Sequence, residues 1–148
     1  GNLATISHIA ESGVPVMGHL GLTPQSINDL GGFKVQGTQA DSADRLLKEA
    51  QDLQEAGCFG LVLECVPKSL AREVTASLDI PTIGIGAGAH TDGQVLVLQD
   101  LLGFNQGFTP KFLRRFLNGH DLMLEALNQF DQEVKESKYP SDEESYKP

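Results

Sequence analysis

Apolar residues recur along this chain with two alternating periods. In LATISHIA (3–10), Leu3, Ile6, Ile9 and Ala10 fall at helical spacing, and Gly13 lies just beyond, where glycine most cheaply ends a helix; a first helix therefore ends near Ser12. The stretch VPVMGHLG (14–21) is short, apolar and closed by glycines, as a strand covered on both faces would be. After a long connection, LTPQSINDLGGFKVQG (22–37), of the length and composition of a functional loop, comes DSADRLLKEAQDLQEAG (41–57). There Ala43, Leu46, Leu47, Ala50 and Leu53 form one helical face, Asp41 or Ser42 suits the start, and Gly57 suits the end.

The same alternation repeats. FGLVLEC (59–65) reads as a strand and KSLAREVTASL (68–78) as a helix with Leu70, Ala71, Val74 and Leu78 on one side. IPTIGIGAG (80–88) reads as a strand again. GQVLVLQDLLGF (93–104) fits strand or helix by period alone, and Val95 and Val97 favour strand. PKFLRRFLNG (110–119) and HDLMLEALNQFDQEVKES (120–137) follow as two expected helices, with a frayed charged tail, DEESYKP, after them. Strands alternating with helices at this spacing give an α/β fold built from parallel βαβ units.

In such folds chemistry collects at the C-terminal ends of the strands, where the packed sheet opens to ligand. Three successive strands here end in His19, in Glu64 and in the glycine run 84–88. Set against Leu61, Val62 and Leu63, Glu64 loses hydration, a setting that suits a general base near neutral pH. Equally, Glu64 serves as a structural carboxylate that caps the next helix or pairs with Lys68. His19 fits a hydrogen-bond donor to a substrate oxygen, an acid or base, a metal ligand, or a purely structural residue. The other histidines, His8, His90 and His120, show no metal-ligand spacing. Gly84, Gly86 and Ala89 match a dinucleotide-binding loop only loosely, since a further apolar run, not a helix, follows them.

Composition narrows the field. A chain of 148 residues suits one core, and 11 basic against 20 acidic residues, a net charge of −9, argue against a nucleic-acid partner. Cys58 and Cys65 stand alone and read as reduced thiols. No apolar window reaches membrane-spanning length and no signal peptide is evident, so a cytoplasmic protein without a membrane partner is expected.

The segments VPVMGHLGLTPQS, GGFKVQG, LVLECVP, IPTIGIGAG and TDGQVLVLQDLLG, in this order, closely resemble the ketopantoate hydroxymethyltransferase family, as do TPKF and EVKESKYPSDEESY near the C-terminus. The resemblance implies transfer of a one-carbon unit from 5,10-methylenetetrahydrofolate to 3-methyl-2-oxobutanoate, giving ketopantoate for pantothenate and coenzyme A. It implies a (β/α)8 TIM barrel with bound Mg2+, in which Glu64 is the general base and His19 the active-site histidine. The family's metal-binding carboxylates lie upstream of the segment matching GHLG, so no metal ligand is expected in this chain. Residues 1–118 would then form the C-terminal half of the barrel in about four βα units, and 119–148 a C-terminal helix and charged tail. Partners expected by resemblance are the ketoacid and folate, with a homo-oligomer or pairing with the missing N-terminal half. The rival readings are an inactive half-barrel acting as an assembly or regulatory subunit, and a nucleotide-binding α/β module.

Overall fold

A computed structural model describes residues 2–23, 34–107 and 109–147. The expected loop around Gly31 and Gly32 lies outside the described residues. Two compact units divide the chain, Gly1–Val95 and Leu96–Pro148.

The first unit begins with α1 (Leu3–Glu11), which ends at Ser12 with Gly13 at φ +88°. Next come β1 (Met17–Gly21) and α2 (Ala40–Glu55), then β2 (Gly60–Glu64) and α3 (Lys68–Ser77). They are followed by β3 (Thr82–Ile85) and β4 (Gly93–Gln94). All strand pairs are parallel and the sheet runs β1-β2-β3-β4, so spatial order equals chain order. The α/β reading with a parallel sheet therefore holds.

Side chains alternate across the sheet. On one face Leu61 and Leu63, both fully buried, meet Leu46, Ala50 and Leu53 of α2 and Leu70, Ala71 and Val74 of α3. These are the stripes that the helical period marks out, and each fully buried leucine contributes about 1.5–3 kcal/mol. On the opposite face His19, Val62, Glu64, Ile83 and Ile85 are only half-buried, joined by the register pairs His19↔Val62, Val62↔Ile83 and Glu64↔Ile85. Among the described residues, β1 pairs with β2 alone and β4 with β3 alone.

Caps and cross-braces fix the elements. The start of α2 differs from expectation: Gln39 is its N-cap, and the Ser42 hydroxyl reaches back to accept from the Gln39 amide at 3.2 Å. Gly57, at φ +92°, ends the helix as its position suggests. The Gln54 side-chain oxygen accepts from the amides of Asp79 and Ile80 at 2.7 and 3.2 Å, tying α2 to the turn before β3.

The second unit departs further from the sequence reading. The strand expected over 93–104 stops after Gln94: Val95 and Val97 are about half exposed, and α4 (Leu98–Leu101) follows with Val97 as its N-cap. The Val95 amide still bonds the Gly84 carbonyl of β3 at 3.0 Å, but the ladder goes no further, and neither valine side chain is buried. No helix forms over 110–118; a turn joins the Leu113 amide to the Pro110 carbonyl at 3.0 Å. The Arg114 guanidinium lies 4.5 Å from the centroid of the Phe116 ring. Residues two apart do not share a helix face, so this contact needs a non-helical chain. The Phe116 amide instead bonds the Leu101 carbonyl at 2.8 Å. The last expected helix is present as α5 (Gly119–Lys135). Beyond it, the Glu144 amide and the Ser141 carbonyl close a turn in the tail, and Tyr146 is fully exposed.

Candidate active site

Glu64 is the last residue of β2 and His19 the central residue of β1. Pairing of Gly21 with Glu64 brings both side chains to the same face of the sheet, opposite α2 and α3. There His19 Nε2 lies 3.1 Å from Glu64 Oε2, with 34% and 20% of the two side chains exposed. A carboxylate only accepts, so the imidazole donates from Nε2 and its Nδ1 is left for a second partner or a proton. Among the described residues Glu64 Oε1 has no hydrogen-bond partner. The structure thus joins two residues that are 45 positions apart in sequence. The partner of Glu64 is His19 and not Lys68, and the N-cap of α3 is Pro67 and not the Glu64 side chain.

The backbone around Glu64 is held from three sides. Its carbonyl accepts from the Leu22 amide at 2.9 Å; the Cys65 amide donates to the Ile85 carbonyl at 2.9 Å, and the Cys65 carbonyl accepts from the Gln36 amide at 2.8 Å. Cys65 itself is left-handed, with φ +51°. At Gly21, φ +93°, an added Cβ would overlap the Glu64 carbonyl oxygen. Burial, and secondarily the adjacent Glu64 carboxylate, push the Cys65 thiol up, so it is a poor nucleophile at neutral pH. Burial likewise raises the Cys58 thiol, and both cysteines are free.

The glycine run at the end of β3 is occupied by packing. Ala87 is fully buried, and an added Cβ on Gly88 would lie 2.5 Å from Lys68 Cβ. The segment returns to β4 without opening into a helix, which removes the structural context a dinucleotide loop needs. Asp92, a potential metal ligand by its chemistry, accepts from the Thr82 amide at 2.8 Å and the Thr82 hydroxyl at 3.1 Å. Those bonds hold its carboxyl below the usual range. Asp100 accepts from the Asn105 side-chain amide at 2.7 Å. Among the described residues no three His, Cys, Asp or Glu side chains cluster as a metal site requires.

A groove of about 510 Å³ runs beside β1, lined by Leu3 and Ile6 of α1, Met17 and His19 of β1, and Leu53 of α2. His19 thus contacts Glu64 and also borders this groove. The contact with Glu64 is not visible in sequence, because the strand register creates it.

A parallel sheet with α2 and α3 packed on one face, and an imidazole–carboxylate pair in which Glu64 ends its strand while His19 lies mid-strand and not at the strand end expected, defines an α/β protein of the kind that gathers polar chemistry at the C-terminal edge. The model of the family described as ketopantoate hydroxymethyltransferase matches residues 1–142, and the chain belongs to that family. It is 60% identical over 146 residues to a protein of Bdellovibrio bacteriovorus named 3-methyl-2-oxobutanoate hydroxymethyltransferase, covering 99% of this chain and 56% of that protein. Proteins of the same name from Francisella tularensis subsp. tularensis and Coxiella burnetii are 56% and 62% identical, over 99% and 94% of this chain and 55% and 52% of theirs. The chain spans about half the length of these relatives.

Proposed function

We propose that this chain is the base-bearing half of an enzyme that transfers a hydroxymethyl group from 5,10-methylenetetrahydrofolate to 3-methyl-2-oxobutanoate, forming ketopantoate. The observation that carries the reading is the 3.1 Å contact of His19 with Glu64 Oε2, which leaves Oε1 free on the open face. Glu64 removes the proton from the carbon beside the keto group. His19 steadies the carboxylate through its other oxygen, and its Nδ1 accepts a hydrogen bond or, once it has taken up a proton, donates toward a substrate oxygen.

Four parallel strands in chain order, with α2 and α3 packed on one face, support the C-terminal half of a (β/α)8 barrel. The groove beside the unpaired side of β1 supports completion by the missing half. The chain's described residues do not by themselves fit a magnesium ion, and ligands for Mg2+ in the complete enzyme would come from outside them. The same observation favours, as a second reading, a half-barrel acting as an assembly or regulatory subunit. Among the described residues no helix is long and apolar enough to cross a membrane.

The test uses this chain combined with the remaining half, following exchange of the ketoacid's C3 proton for deuterium by NMR. Glu64→Gln abolishes exchange while the fold persists. Near-normal exchange in that variant removes Glu64 from the mechanism, and no exchange by the combined wild-type halves favours the subunit reading.

A further inference from the structure

Two consecutive carbonyls, those of Glu64 and Cys65, hold the two ends of the connection between β1 and α2. Leu22, just past β1, donates to the first, and Gln36, shortly before α2, donates to the second. In a continuing strand, successive carbonyls point to opposite edges, so one chain cannot take both on the same side. Here the chain leaves strand geometry at Cys65, whose φ of +51° turns the second carbonyl toward Gln36 while its amide still pairs with Ile85 of β3. Left-handed backbone costs a residue with a Cβ roughly 1–2 kcal/mol and is most unfavourable for β-branched side chains. Such strain persists only where its surroundings enforce it, and here it adjoins the candidate base.

We infer that Cys65 is a positioning residue: its left-handed backbone, not its thiol, clamps the β1–α2 connection onto residues 64 and 65 and so holds the Glu64 carboxylate against His19. The inference rests on the reading of Glu64 as the base, but the clamp itself is testable without catalysis. Three features of the structure converge on it. Gly21 has no room for a side chain beside the Glu64 carbonyl, Val66 immediately after the turn is buried, and the thiol makes no hydrogen bond among the described residues. The sequence needs at position 65 a residue that tolerates φ near +50°, and a thiol is incidental to that need.

The experiment compares Cys65→Gly, Cys65→Asn and Cys65→Val in this chain by hydrogen exchange and by the ring 15N shifts of His19. Glycine and asparagine accept left-handed backbone and valine resists it. In Cys65→Val the Leu22 and Gln36 amides are expected to exchange about tenfold faster or more, and the His19 shifts to move toward those of a free imidazole. Cys65→Gly and Cys65→Asn keep both signals. The Leu61 amide, which donates to the Pro81 carbonyl at 3.0 Å away from the turn, reports whether the core remains folded. In the reconstituted enzyme, kcat for C3 proton exchange in Cys65→Val falls at least about tenfold below that of Cys65→Gly with little change in KM, as misplacing a base predicts. Unchanged amides and shifts in Cys65→Val overturn the clamp. Loss of the His19 signature in both Cys65→Gly and Cys65→Asn also overturns it, in favour of a role for the thiol. A clamp that behaves as expected beside an active Glu64→Gln enzyme overturns the base assignment instead.

Discussion

Gly21 and Gly13 form a matched pair for testing how tightly the candidate site is built. Both have positive φ, +93° and +88°, but an added Cβ meets nothing within 4 Å at Gly13, whereas at Gly21 it overlaps the Glu64 carbonyl oxygen and crowds Val66. Gly13→Ala therefore carries only the left-handed cost, about 1–2 kcal/mol. Gly21→Ala carries that cost and must also push β1 from β2, breaking the 2.9 Å bond from the Leu22 amide to the Glu64 carbonyl. Leaving such a pair unsatisfied costs about 1–3 kcal/mol, so the total for Gly21→Ala is about 2–5 kcal/mol. Urea unfolding followed by circular dichroism, with exchange at the Leu61 amide as a check confined to the first unit, measures both variants. Gly21→Ala is expected to be the less stable by at least about 1 kcal/mol. Equal losses in the two variants would show that the strand ends yield freely, and the rigid placement of Glu64 would have to be abandoned.

Leu61→Ala empties a fully buried site between the sheet and its helices and should cost about 2–5 kcal/mol by the same urea titration. Asp92 is held below the usual carboxyl range by Thr82, so its contribution to stability is complete above the ordinary aspartate value and vanishes as pH falls through the lower folded one. Asp92→Asn should flatten the acid side of a stability–pH curve, and an unchanged slope would show that the bonds to Thr82 carry no linkage. Among the described residues the outer sides of β1 and β4 have no strand partner, which predicts self-association or association with the remaining part of a barrel. Light scattering at micromolar concentration that finds a cooperatively melting monomer of about the chain's 15.9 kDa would contradict this.

The parts legible in sequence were those set by local period. Leu46, Ala50 and Leu53 on α2, and Leu70, Ala71 and Val74 on α3, are buried where a 3.6-residue repeat places them. The parts that were not legible depend on partners remote in sequence. Val95 and Val97 have the composition of a strand, but the ladder with β3 ends at Gln94, with one further bond from the Val95 amide to the Gly84 carbonyl. Phe112 and Phe116 have helical spacing, yet Arg114 stacks on Phe116 and the Phe116 amide turns to Leu101. The candidate site divides in the same way. Glu64 could be singled out because a carboxylate ending an apolar run is conspicuous, whereas its contact with His19 depends on the register of Gly21 with Glu64. Lys68, nearer in sequence, was the more obvious counter-charge and is not the one used.

Because the strands lie side by side in the order in which they are encoded, the sheet can be laid down vectorially. Each strand emerging from the ribosome docks on the one just completed, with α2 and α3 closing over the first two seams, and among the described residues no strand must wait for a distant one or thread between two already in place. The same property makes the architecture modular for evolution: a βα unit gained or lost at the outer side of β1 or β4 leaves every existing strand pair intact.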